Sequence, residues 1–362
     1  MDLTQQSLFD LSLPALREAV ADLGEPAFRA AQVFQWIWQK RVRTFSEMSN
    51  VSKALRGRLE ESFSLARPEP AKVLTSSDGT VKFLLRLADG ELIETVLIPE
   101  REHYTLCLST QVGCAMACTF CSTGTMGFHR NLTQGEILGQ VLAAQEHIER
   151  EKLRMTLRNL VFMGMGEPTQ NLDTLLTALA TMRESQGLCI GQRRVTVSTV
   201  GLPGTLARLG TAEAALLAVS LHAPTQGLRE KIMPRAAAAM PLDRLVAELR
   251  DYPLKPRERV TIEYILIGGV NDSEREARDL VRLLSTFKSK VNLIAYNPSE
   301  GGPYEAPDPE RVLAFESLLR AKGVTTILRR SKGQDIKAAC GQLVTAHAME
   351  QEATEKGDPQ PD

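Results

Sequence analysis

The chain has 362 residues, 43% of them hydrophobic and 24% charged, with 43 Lys and Arg against 44 Asp and Glu for a formal net charge of -1. That length buries a sizeable core and favours one large domain plus something smaller, which excludes a disordered or fibrous protein. The charge balance excludes a wholesale polybasic protein, so any nucleic-acid contact has to come from local patches.

The opening residues, MDLTQQSLFDLSLPAL, carry no basic n-region, and apolar runs such as Ala214 to Leu221 are too short to span a bilayer. A cytoplasmic protein without membrane contact is expected. In that reducing compartment clustered thiols read as metal ligands or redox groups before they read as structural disulfides.

Residues 1–64 are expected to be helical: Ala30, Val33, Phe34, Ile37 and Trp38 recur at helical spacing, as do Leu55, Leu59 and Phe63, with Pro14 and Gly24 punctuating an earlier helix. Residues 65–100 form a small β extension, a meander with turns at Ser77-Asp78-Gly79 and Ala88-Asp89-Gly90. Residues 101–348 then alternate strands with amphipathic stretches. The strand candidates are Tyr104 to Ser109, Leu160 to Met163, Arg194 to Val197, Ala215 to Ser220, Val260 to Ile267 and Val291 to Ala295. Six alternations imply an α/β fold with a parallel sheet, curled into an incomplete (β/α)6 barrel or doubly wound. A polar tail, 349–362, reads as disordered.

Distinctive polar groups follow the strands directly: Gly166-Glu167-Pro168, Ser198-Thr199, Ser220-Leu221-His222 and Asn297-Pro298. In parallel α/β architectures the C-terminal strand ends carry the active site. Turn formation after strands is the alternative reason for such residues.

Four of the six cysteines lie in CLSTQVGCAMACTFC, residues 107–121. Cys114, Cys118 and Cys121 make a C-x3-C-x2-C loop of soft ligands. Structural zinc takes four ligands, for which His129 is the nearby candidate, and catalytic zinc usually includes histidine. An iron-sulfur cluster held by three cysteines leaves one iron open to another molecule.

Cys-Ala-Met-Ala-Cys-Thr-Phe-Cys at 114–121 resembles the signature of radical S-adenosylmethionine (SAM) enzymes, whose [4Fe-4S] cluster cleaves SAM to a 5'-deoxyadenosyl radical. With FMGMGEP, VTVSTVG, SLHA, GGVND, AYNP and RRSKGQDIKAACGQL, the chain resembles the RlmN/Cfr family of RNA adenine methyltransferases from about residue 12 to about residue 345.

The resemblance implies that Cys114, Cys118 and Cys121 bind the cluster and that Gly166, Glu167, Ser198, Ser220, Leu221, His222 and Asn297 line the SAM site. It implies further that Cys340 becomes S-methylcysteine at the expense of one SAM, with Cys107 as its partner in a transient disulfide and Glu94 as proton acceptor. The implied activity is methylation of adenine C2 in 23S rRNA and tRNA by a monomer served by flavodoxin or ferredoxin, with Cfr-like C8 methylation as the alternative. Adenine C2 lies between two ring nitrogens and is not nucleophilic, so it cannot simply take a methyl group from SAM. A metal-stabilised RNA-binding module is the reading of another class.

In ELIETVLIP, Glu94 keeps phase with Leu92, Val96 and Ile98, on what is otherwise an apolar face, where desolvation would make it a stronger base. Two basic patches are candidates for RNA: Arg329, Arg330, Lys332 and Lys337, and Lys40, Arg41, Arg43, Lys53, Arg56 and Arg58. Phe34, Trp36 and Trp38 are expected in the core, and Cys189 as a small packed side chain. The run Ala236 to Ala239 departs from the polar or basic residues that family members often carry there.

Overall fold

A computed structural model describes residues 5–298 and 302–343; the expected tail, 349–362, lies outside the described residues. Helix α1 (Leu13–Asp22) starts where the Ser12 hydroxyl accepts from Ala15 N, with Pro14 in its first turn. Helix α2 (Phe28–Gln35) runs into a π turn at Trp36–Lys40, which Arg41 ends in the left-handed conformation. Helix α3 (Lys53–Ser62) is capped by Ser52. The apolar spacing predicts the packing: Ala30, Val33, Phe34, Ile37, Trp38, Leu55 and Leu59 are all buried, with Trp38 edge-on to Phe9 at 5.1 Å. Trp36 is only partly buried, and its indole donates to Asn50.

Strands β1 (Glu69–Thr75), β2 (Val81–Arg86) and β3 (Leu92–Pro99) form the expected meander, and β3 continues antiparallel into β4 (His103–Cys107). A short hairpin follows, β5 (Gln111–Gly113) with β6 (Phe128–Asn131), enclosing the cysteine loop and helix α4 (Ser122–Thr125).

Strand and helix then alternate: α5 (Gln134–Arg150), β7 (Thr156–Phe162), α6 (Leu172–Arg183), β8 (Val195–Thr199), α7 (Thr205–Ala212) and β9 (Leu216–Ser220). Helices α8 (Gln226–Ile232), α9 (Pro234–Ala239) and α10 (Leu242–Arg250) lead to β10 (Val260–Leu266), and α11 (Glu274–Leu284), β11 (Ser289–Ala295), α12 (Pro309–Ala321) and β12 (Thr326–Arg329) complete the order.

All six expected strands are present, and β12 adds a seventh. Strands β4, β7, β8, β9, β10, β11 and β12 are parallel and lie side by side in chain order, so the sheet has no switch point and the doubly wound alternative falls away. The sheet is open, with β1 and β12 at its edges. Every residue of β10 is buried, as befits a parallel strand covered on both faces.

The N-terminal basic cluster is partly consumed in joining elements. Arg41 pairs with Glu149 at 2.6 Å, Arg43 with Glu69 and Glu146 at 3.0 and 2.6 Å, and Arg58 with Glu25. The run Ala236 to Ala239 belongs to α9, with Ala236 and Ala237 buried and Ala238 and Ala239 exposed.

Candidate active site

The cysteine loop is pinned at its base. Gly113 has φ +72°, and a Cβ there would stand 1.9 Å from Gly127 O, which accepts from Cys114 N at 2.7 Å. Within the loop, Ala117 is also left-handed. Its far side leans on the barrel: Thr119 N donates to Ile232 O at 3.0 Å and Arg235 Nη1 to Ala115 O at 2.8 Å.

Cys114, Cys118 and Cys121 are partly buried, uncrosslinked and within reach of one another's charge. Burial pushes Cys114 up to about 12, and burial with the neighbouring thiols raises Cys118 well above its ordinary value. Such thiols become ligands only as metal binding displaces their protons to solvent.

The donor set fits an iron-sulfur cluster. Among the described residues no three or more His, Cys, Asp or Glu close to single-ion geometry, and a cluster does not require it, since each thiolate binds a different iron. His129, the candidate fourth zinc ligand, instead lies 3.3 Å from Glu91.

The SAM-lining candidates gather at the C-terminal ends of the parallel strands β7, β8, β9 and β11. Gly166 follows β7 with φ +99°, packed so closely that a Cβ would meet Gln111 Cβ at 2.6 Å. The buried Glu167 carboxylate accepts from Thr169 N, Thr169 Oγ1, Thr199 Oγ1 and Val200 N at 3.0, 2.5, 2.6 and 3.0 Å, tying the end of β7 to that of β8. Burial raises its pKa against the pull of those bonds.

Ser198 Oγ lies 3.3 Å from Ser220 Oγ, and Leu221 is buried beyond them. His222 is left-handed, its Nδ1 accepting from Ile265 N at 3.1 Å and its ring edge-on to Phe120 at 5.0 Å. Burial, assisted by Arg229, holds His222 down to about 3, so the ring is neutral. Asn297 accepts from Gln334 Nε2 at 2.6 Å, linking the end of β11 to the C-terminal loop.

That loop carries Cys340 and is held from two sides. Gly333 N donates to Asp78 at 2.9 Å, and Asp335 accepts from Ser76 Oγ and Ser77 N at 2.6 and 3.0 Å, fastening it to the β1–β2 turn. On the other side Ser122 N donates to Gly341 O and Thr123 Oγ1 to Leu343 O, both at 2.7 Å, fastening it to the cysteine loop. Cys340 thereby comes within electrostatic reach of Cys121 on one side and of Cys107 on the other. Burial first, then Cys340, pushes the Cys107 thiol up to about 12, with Arg329 opposing.

Glu94 is 2% exposed, as its alternation predicts, but β3 is buried on both faces and the carboxylate is not isolated: Lys82 Nζ lies 2.9 Å from Oε1. Lys82 also donates to Lys337 O at 3.2 Å. Two expectations need correction. Arg329, placed by sequence among RNA-facing cations, turns inward, with Nη1 3.9 Å from Met163 Sδ. Cys189 is exposed rather than packed, its thiol donating to Ser185 O at 3.0 Å. Sequence reasoning passed over Lys82, Thr169, Glu263 and Asn271. Only GGVND, which contains Asn271, signalled one of them; its amide donates to His222 O and Ile265 O.

An open parallel barrel with three soft thiols on a loop at its mouth and polar strand ends around them defines a radical SAM enzyme. Residues 108–281 match the radical SAM superfamily, and residues 6–65 match the ribosomal RNA large subunit methyltransferase N-terminal domain. The chain is 59% identical to a dual-specificity RNA methyltransferase RlmN of Nitratidesulfovibrio vulgaris, over 91% of each chain. It is 56% identical to that of Solidesulfovibrio magneticus, over 93% of this chain and 96% of the relative. A crystal structure of a radical SAM methyltransferase from Sphaerobacter thermophilus superposes with a TM-score of 0.88 at 43% identity, covering 93% of this chain and 99% of the other. The chain belongs to the RlmN family of dual-specificity RNA methyltransferases. No helix among the described residues is long and apolar enough to cross a membrane.

Proposed function

We propose that this enzyme methylates C2 of adenosine in 23S rRNA and tRNA, with Cys340 carrying the incoming carbon and Cys107 releasing the product. The observation that supports this reading above all is that Cys340 lies within electrostatic reach of both Cys121 of the cysteine loop and Cys107 at the end of β4. Cys114, Cys118 and Cys121 would hold the [4Fe-4S] cluster, and Gly166, Glu167, Ser198, Ser220, Leu221, His222 and Asn297 the SAM molecule, which together supply a methyl group and a hydrogen-abstracting radical.

The chain's own residues do the rest. Cys340 accepts the methyl group on sulfur and presents that carbon to the base from a loop clamped at both ends. Glu94, on β3 of the meander, accepts the C2 proton; Lys82 Nζ, 2.9 Å from its Oε1, holds the carboxylate in place. Cys107 then attacks the Cys340 sulfur, which breaks the bond to the methylated base and leaves a disulfide. The enzyme works as a cytoplasmic monomer with a low-potential donor such as flavodoxin or ferredoxin.

Digesting RNA treated with the reconstituted enzyme, SAM and reductant to nucleosides tests the assignment. The expected product is 2-methyladenosine. Exclusive 8-methyladenosine would move the protein to the C8 alternative, and no methylated nucleoside with no 5'-deoxyadenosine would leave only an RNA-binding role.

A further inference from the structure

Arg329 ends β12 at the open edge of the barrel, yet its guanidinium crosses the interior to Met163, just beyond the end of β7. Cys340 from the C-terminal loop, Glu263 from β10 and Cys107 from β4 lie within its electrostatic reach, with Glu100 after β3 contributing least, and Cys107 is paired across the sheet with Val161, two residues before Met163. Glu263 is 3% exposed; Asn292 Nδ2 donates to its Oε1 at 2.9 Å, while Oε2 is buried without a hydrogen-bond partner. Strand register sets Ser220, Glu263 and Asn292 in one row across β9, β10 and β11, so this carboxylate stands beside one of the expected SAM-lining residues. The reaction outlined above gives neither Arg329 nor Glu263 a task. Burying both charges is costly unless each serves the other or a third group.

We propose that Arg329, retained in the barrel by Glu263, is the cation that stabilises the Cys107 thiolate as it attacks the Cys340 sulfur. The inference rests on the roles given to the two thiols under Proposed function. In that step Cys107 has released its proton to solvent, and its sulfur forms a bond to the Cys340 sulfur. The bond from that sulfur to the methylene carbon on the base breaks, and its electron pair goes to the carbon, which takes a proton and becomes the methyl group. The two thiol sulfurs end as a disulfide, which a dithiol reductant must reopen before another turnover. A thiol buried as Cys107 is resists ionisation, and only the thiolate is the nucleophile. A guanidinium stays charged in such a site where an ammonium could lose its proton, which suits the task. Glu263 keeps the guanidinium from turning out to solvent at the sheet edge.

The test treats the reduced, anaerobic holoenzyme with iodoacetamide near neutral pH, where the bound cluster protects its ligands, and follows Cys107 by peptide-resolved mass spectrometry. Arg329→Met is expected to slow Cys107 alkylation about tenfold, the effect of a one-unit rise in thiol pKa. The same variant should slow release of RNA from its covalent adduct to a similar extent. Arg329→Lys is expected to restore much of both rates, and Glu263→Gln to lower both to a lesser degree.

The sign separates charge from packing, because a gap left by the lost side chain would admit reagent and speed alkylation. Alkylation as fast in Arg329→Met as in the parent overturns the proposal, and so does slowed alkylation with parental RNA release. Should Arg329→Met fail to fold, Arg329→Met combined with Glu263→Gln removes both buried charges and is read in the same way. The underlying assignment fails separately, if Cys107→Ala releases methylated RNA as fast as the parent.

Discussion

Lys82 Nζ lies 2.9 Å from Glu94 Oε1, and the same ammonium donates to the carbonyl of Lys337, three residues before Cys340. One cation therefore touches the proposed base and the loop that presents the methyl carrier. Lys82→Met should destabilise the chain by about 3–5 kcal/mol, because a buried carboxylate loses its paired charge. Covalent RNA-protein adduct should accumulate, since neither Glu94 nor the Cys340 loop is then held in place by Lys82 for removal of the C2 proton. Denaturation curves and gel-resolved adduct measure the two effects, and Lys82→Arg should show neither in full. Parental adduct levels in Lys82→Met would remove Lys82 from the chemistry.

The β1–β2 turn acts as a clasp. Although burial works against it, hydrogen bonds from Thr80, Gly333 and Ser76 hold Asp78 down to about 2, and the Ser76 and Ser77 donors keep Asp335 below the ordinary carboxylate range. Both groups are thus ionised throughout the working pH range. Replacing both by Ala should loosen the 333–343 loop and slow oxidative formation of the Cys107–Cys340 disulfide by roughly ten- to a hundredfold, as small misplacements of reacting groups do. Disulfide formation at the parental rate would show that the clasp does not position Cys340.

His222 gives a pH signature with a defined sign. Its ring is held down to about 3 in the folded chain against an ordinary value of 6.5. The unfolded chain therefore binds the proton first, so stability is full above about pH 6.5 and falls with acidification toward about pH 3. Between about pH 6.5 and about pH 5 this one group costs about 2 kcal/mol. His222→Asn keeps a residue that tolerates the left-handed backbone and offers an acceptor to Ile265 N. Urea unfolding of this variant should lose about that much less stability over the same interval. An identical loss in both proteins would show that His222 is not held neutral.

The strand ends and the cysteine loop were legible because each rests on contiguous residues. Glu94 was legible through its alternation with Leu92 and Val96, but its partner was not: Lys82 lies on β2, and a lysine in VKFLLR reads as solvent-facing until the sheet is seen to be covered on both sides. Arg329 was misplaced for a related reason. Strand β12 is four residues long, too short for its period to stand out, so Arg329 merged with Arg330, Lys332 and Lys337 into one apparent patch. The N-terminal cations show the same limit, since Glu146 and Glu149 lie on α5, about a hundred positions from the arginines they pair with.

Two glycines at the neck of the cysteine loop separate backbone strain from collision. Gly113 and Gly127 are both left-handed, at φ +72° and +76°, but a Cβ on Gly127 would meet nothing within 4 Å, whereas one on Gly113 would collide with Gly127 O. Each Ala substitution carries about 1–2 kcal/mol of left-handed strain. Only Gly113→Ala must also break the bond from Cys114 N to Gly127 O, which fixes where the first cluster ligand leaves the hairpin. After anaerobic reconstitution Gly127→Ala should bind iron and sulfide close to the parental ratio, while Gly113→Ala should lose most of both, with the visible absorbance falling in step. Full cluster content in Gly113→Ala would mean that the loop reaches its binding geometry without the β5–β6 neck, and equal losses in both variants would make strain alone the cause.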